Sequence, residues 1–130
     1  MPIQPQTTGI HHLTLRCTNM ARTKSFYQDT IGFALILDTP DLIGFLAGSQ
    51  IIAFRPATPK HPEDVRFHPF NIGLDHLALA CASETELQRV AAELTAAGVD
   101  NTGVKLDDVL QKKYVAFKDP DRIQWEFYMA

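Results

Sequence analysis

Three side chains in this sequence could share a metal ion: His12, His76 and Glu126. Glu126 lies in the run Ile123-Gln124-Trp125-Glu126-Phe127-Tyr128-Met129. With a period of two, Ile123, Trp125, Phe127 and Met129 point one way, and they are large enough to face a core. Gln124, Glu126 and Tyr128 point the other way. Strand interiors are depleted in Glu, and a charge there needs a partner or water. His12 and His76 occupy matching places in two further strand patterns. Two imidazoles and one carboxylate suit one divalent transition metal: Fe, Mn, Zn, Ni or Co. Three protein ligands leave positions open, as catalytic sites do, so substrate oxygens could bind the metal as a Lewis acid. The plainer alternative for each histidine is a hydrogen-bonded strand residue with no metal. Two at repeat-equivalent places, with a strand-interior Glu, favour the metal.

The elements that must position these groups come as a repeat. Gly9-Ile10-His11-His12-Leu13-Thr14-Leu15-Arg16-Cys17 and Gly73-Leu74-Asp75-His76-Leu77-Ala78-Leu79-Ala80-Cys81 both read G-[IL]-x-H-L-x-L-x-C, at an offset of 76 − 12 = 64 residues. A helix follows each. Thr18-Asn19 caps the first, which runs to about Thr30 on Phe26 and Tyr27, with Gly32 beyond its end. Ser83-Glu84-Thr85-Glu86 is a capping box for the second, and Leu87, Val90, Ala91, Leu94 and Ala97 recur at helical spacing before Gly98. Strands are expected over Phe33–Asp38, Leu42–Ala47 and Gln50–Arg55 in the first half. The second half has strands from Val99, over Tyr114–Phe117 and over Ile123–Met129, with a polar loop at Lys105–Lys112.

The expected fold class is α+β, with two tandem βαβββ modules forming a curved mixed sheet and the helices on its convex side. The whole of residues 1–130 is read as one domain: module one at about 9–56, a connector at about 57–71, and module two at about 72–129. Pro56, Pro59, Pro62 and Pro69 exclude a helix or central strand through most of the connector. His61 and His68 there read as surface residues; the alternative for His68, beside Phe67 and Phe70, is a pocket mouth. His12, Thr14, Arg16, Ala78, Ala80, Gln124, Glu126 and Tyr128 line the concave face. Thr14, Arg16, Gln124 and Tyr128 are therefore the candidate substrate-binding residues. Matching Ile52-Ala53-Phe54 to Trp125-Glu126-Phe127 sets Ala53 opposite Glu126, so the fourth symmetric position is blank. His11 has the opposite parity and reads as a supporting or structural residue.

Composition narrows the partners. A formal net charge of −3 gives no reason to expect nucleic acid or an anionic membrane. No apolar run approaches the roughly 20 residues that span a bilayer. The first residues, Met1-Pro2-Ile3-Gln4-Pro5-Gln6, lack a charged and then apolar leader, and Cys17 and Cys81 read as reduced, buried thiols. A cytoplasmic protein is expected.

The βαβββ duplication, the H-L-x-L start of each half, Phe26-Tyr27 with Ile31-Gly32-Phe33, and Phe117-Lys118-Asp119-Pro120-Asp121 with Glu126 resemble the vicinal oxygen chelate superfamily. That group includes glyoxalase I, extradiol dioxygenases, fosfomycin-resistance thiol transferases, methylmalonyl-CoA epimerase and bleomycin-resistance proteins. The resemblance spans about Gly9 to Met129. It implies metal ligands at His12, His76 and Glu126. The fourth ligand of glyoxalase I and the epimerase falls on Ala53, which counts against those two activities; Gln50 lies nearby with the wrong parity. The Tyr that dioxygenases and fosfomycin enzymes carry falls on Ala116; Tyr114, two residues earlier on the same face, is either its substitute or a plain rim residue. Arg16 and Lys112 are the basic groups aimed inward. Arg122 stands where the family has Gly after the Asp-Pro-Asp turn. The resemblance also implies a homodimer in which His12 could come from one subunit and His76 and Glu126 from the other. It further implies a small-molecule substrate, with Glu126 or Tyr114 as base for a proton transfer. The competing expectation is a metal-free binding protein of the bleomycin-resistance type.

Overall fold

The computed structural model describes residues 1–58 and 65–130, so the expectation for His61 lies outside the described residues. Among the described residues there are eight strands: β1 (His12–Cys17), β2 (Ala34–Thr39), β3 (Leu42–Ala47), β4 (Gln50–Pro56), β5 (Leu77–Cys81), β6 (Asn101–Leu106), β7 (Lys113–Lys118) and β8 (Gln124–Met129). They form two four-stranded mixed sheets of matching order, β1-β4-β3-β2 and β5-β8-β7-β6. In each sheet the first strand of the module lies parallel to the last, and the other pairs are antiparallel. The duplicated sequence is thus a duplicated sheet.

Helix α1 (Met20–Ser25) begins where Asn19 accepts a hydrogen bond from the Arg22 amide. The expected single helix to Thr30 instead widens into a π-helical turn at Phe26–Ile31. There the two consecutive aromatic side chains Phe26 and Tyr27 both enter the core, their rings edge to face. Gly32 ends the turn at φ 89°, in the left-handed region that favours glycine. Helix α2 (Glu84–Ala96) starts at Ser83, whose hydroxyl accepts from the Glu86 amide. The expected capping box is only half made, because the Glu86 carboxylate turns to Arg89.

The core joins the modules. Tyr27 of module one stacks on Phe54 and meets Trp125 of module two at 5.6 Å between rings. Trp125 also stacks on Phe117. Burying such rings gives several kcal/mol at roughly 25 cal/mol per Å². The Asp-Pro-Asp turn supplies the polar half of the joint. Tyr27 donates to Asp119, and Thr18 and Arg22 hold Asp121. Asp119 is raised from the usual Asp range, first by burial, while the Tyr27 hydroxyl and two backbone amides oppose the shift. Both cysteines are free and buried. Among the described residues no helix is long and apolar enough to cross a membrane.

Candidate functional site

The register of β8 builds the site. Ala78 of β5 lies opposite Glu126 on one side, and Ala116 of β7 lies opposite it on the other. Two methyl side chains leave room beside the carboxylate. Trp125 and Phe127 take the core face, so alternation turns Glu126 to the other. Its residual exposure is 9%. Burial raises its carboxyl above the usual Glu range, and His76 partly offsets the shift.

His76 immediately precedes β5. Its Nε2 stands 3.2 Å from Glu126 Oε2, and its Nδ1 stands 2.6 Å from Asp75 Oδ1. These contacts determine the chemistry. A carboxylate only accepts, so the proton on His76 that meets Asp75 is on Nδ1. Nε2 meets Glu126 in one of two ways: a protonated ring donates to the carboxylate, or a neutral ring offers a lone pair that a cation shared with Oε2 would hold. Metal bonds of about 2.0–2.2 Å at right angles place two donors about 3 Å apart, so this pair fits a shared ion.

The same register appears in the first sheet with different residues. Thr14 pairs with Ala53 as Ala78 pairs with Glu126. Ala53 is therefore the counterpart of Glu126 and brings only a methyl. His12 opens β1 as an exposed residue, its Nδ1 2.9 Å from His11 Nδ1. One chain thus brings His76 and Glu126 together and leaves His12 on the other sheet. Among the described residues no three His, Cys, Asp or Glu side chains gather at one point.

The remaining sequence candidates divide between the sheets. Tyr114 and Tyr128 are cross-strand partners with stacked rings 6.0 Å apart. The Tyr128 hydroxyl donates to Asp107 at 2.7 Å. Partial dehydration, then that bond and the charge of Asp107, push Tyr128 up to about 12. Gln124 accepts from Lys118. Thr14 and Arg16 line a cavity of about 530 Å³ beneath the connector, with Phe67, Leu74 and Asp121. Arg16 itself donates to the Pro56 carbonyl. One expectation is corrected. Lys112 does not point inward: it is exposed and donates to the Ala130 carbonyl. His68 is exposed against Phe70, as its surface reading expected, and Phe67 lines the cavity in its place. Sequence reasoning missed Asp75 and Asp107. Asp75 had a usable signal, its place directly before a repeat-equivalent histidine; Asp107, in a polar loop, had none.

Comparison with known proteins gives a consistent set of relatives. The model of a family described as the Glyoxalase/Bleomycin resistance protein/Dioxygenase superfamily matches residues 9–127. The chain is 30% identical to the uncharacterized protein YwkD of Bacillus subtilis, over 92% of this chain and 95% of that one. It is also 30% identical to the uncharacterized protein YaeR of Escherichia coli, over 92% and 94%. The crystal structure of a glyoxalase family protein from Enterococcus faecalis superposes with a TM-score of 0.76 at 27% identity, covering 93% of this chain and 97% of that one.

Proposed function

The chain belongs to the glyoxalase/bleomycin resistance protein/dioxygenase superfamily, and from that premise we propose that it is a divalent-metal-dependent enzyme. Its substrate is a small molecule that chelates the metal through oxygens. The observation that carries this reading is the approach of His76 Nε2 to within 3.2 Å of Glu126 Oε2, a separation that two ligands of one metal ion also adopt. His12 supplies the third ligand. Since His12 lies on the other sheet of its own chain, it comes from a second copy, and the working unit is a homodimer with two shared sites.

The bound metal would polarise the substrate oxygens that complete its shell. The chain's own residues do the rest. Glu126 and Tyr114, on one face of neighbouring strands, are the groups placed to take or return a proton. Ala78 and Ala116 keep the space beside Glu126 open to substrate. Tyr128 is tied to Asp107 and forms a fixed wall with Tyr114. Thr14 and Arg16 share the parity of His12 on β1 and are offered to substrate from the cavity beneath the connector, where Arg16 is tied to the Pro56 carbonyl. Gln124, tied to Lys118, borders the opposite end of β8.

The test is the metal content of the purified protein by elemental mass spectrometry, beside His76→Ala. About one equivalent of transition metal per chain, lost in the variant, supports the reading. Iron would direct attention to oxygen insertion; manganese, nickel, cobalt or zinc to isomerase, lyase or thiol-transfer chemistry. No metal in either protein, even after reconstitution, sinks it and selects the metal-free binding protein.

A further inference from the structure

The residue directly before each ligand histidine touches that histidine at the same atom. Asp75 Oδ1 is 2.6 Å from His76 Nδ1. His11 Nδ1 is 2.9 Å from His12 Nδ1, with the two rings edge to face. The two contacts are repeat-equivalent, since 75 − 11 = 76 − 12 = 64. One such contact could be incidental between exposed neighbours. Two at matching places, made by different residue types, are what a strand entry that sets the preceding side chain against Nδ1 would give.

We infer that Asp75 and His11 are positioning residues that fix the Nδ1–H tautomers of His76 and His12, leaving each Nε2 lone pair for a divalent cation. This rests on the metal-binding reading above. The physical requirement is simple. An imidazole that ligates through Nε2 must carry its proton on Nδ1, and an acceptor there holds both tautomer and ring plane. Asp75 meets the requirement outright, because an ionised carboxylate offers acceptors only. His11 meets it only with its own proton on Nε2, so that its Nδ1 can accept. The two ligand histidines are therefore held unequally: His76 by an anion, His12 by a neutral ring. Charge-assisted hydrogen bonds are about twice as strong as neutral ones, so His76 is the better oriented of the two.

The two contacts should contribute little to stability. The Asp75 side chain is 64% exposed, where even a charged contact gives about 0–1 kcal/mol at most. This separates a positioning role from a structural one.

The experiment uses the whole chain as Asp75→Ala, Asp75→Asn and His11→Ala. Side-chain nitrogen NMR of the metal-free proteins reads the tautomers, and calorimetric titration with Zn²⁺ reads affinity. The expected result is a His76 Nδ1–H pattern in the parent that is lost in Asp75→Ala. Zinc affinity then falls about 10–100-fold, as for lost outer-shell partners elsewhere. Asp75→Asn, whose amide oxygen still accepts, recovers part of both. His11→Ala changes the His12 pattern alone, with a smaller loss of affinity. Unchanged tautomers and affinity in the variants, with zinc still bound by the parent, overturn the positioning roles alone. No zinc binding by the parent overturns them together with the metal-binding reading. Circular dichroism of each variant separates these outcomes from misfolding.

Discussion

The Tyr27 hydroxyl donates to Asp119 Oδ2 at 2.6 Å, a fully buried bond between residues 92 apart in the chain. It links the helix of module one to the turn that starts β8, the strand that carries Glu126. The same turn is closed by the Asp121 and Ile123 amides on Asp119 Oδ1. A register-setting turn is thus pinned from the other half of the molecule.

Tyr27→Phe should cost about 1–3 kcal/mol, because a buried acceptor loses its partner. The cost should also depend on pH. The Asp119 carboxyl is raised in the folded state, so its stabilising contribution is full below the ordinary Asp range and is lost as pH rises through the raised value. Removing the hydroxyl that opposes the shift raises it further. Urea melts should therefore show a larger deficit for Tyr27→Phe at pH 7 than at pH 3. A deficit independent of pH would contradict this account of Asp119.

Metal should stabilise the parent protein against heat and leave Glu126→Gln unmoved. Binding to the native state alone adds about 2.7 kcal/mol at a hundredfold excess over Kd, several degrees in Tm for a domain of this size. Differential scanning fluorimetry with Mn²⁺, Ni²⁺ and Zn²⁺ measures it. An equal shift in Glu126→Gln would place the metal elsewhere.

Shared sites permit complementation between defective chains. His12→Ala and Glu126→Gln homodimers each lack a ligand at both sites. A hybrid keeps one intact site, made of His12 from the Glu126→Gln chain with His76 and Glu126 from the His12→Ala chain. Random pairing of equal amounts makes half the dimers hybrid, so about a quarter of the parent's metal capacity should return. No recovery in a preparation that is dimeric by light scattering would argue against ligands shared in this way.

Arg122→Gly should leave stability unchanged or raise it by up to about 1 kcal/mol. Arg122 has φ 68°, a left-handed conformation that costs a side-chain-bearing residue roughly 1–2 kcal/mol. The larger chain entropy of glycine and the loss of the exposed Asp100 pair take back part of the gain. A fall in Tm would show that the pair outweighs the backbone strain.

Much of this protein was legible in its residue pattern because the signals are local. Alternation in β8 turned Glu126 away from Trp125. The G-[IL]-x-H-L-x-L-x-C repeat and the glycines at Gly32 and Gly98 marked two modules, and the matching strand orders bear out that duplication. Even the pairing of Ala53 with the place of Glu126 follows from the repeat, and the register reproduces it. Periodicity tells which way a side chain points, but not what stands across from it. Only the tertiary structure put His76 beside Glu126 and left His12 on the other sheet, because sheet partnership depends on long-range pairing. Only it joined Tyr27 to Asp119, a contact at a sequence distance where no local pattern reaches. The π-helical turn at Phe26–Ile31 was equally beyond the pattern, since helical periodicity does not distinguish a widened turn from a regular one.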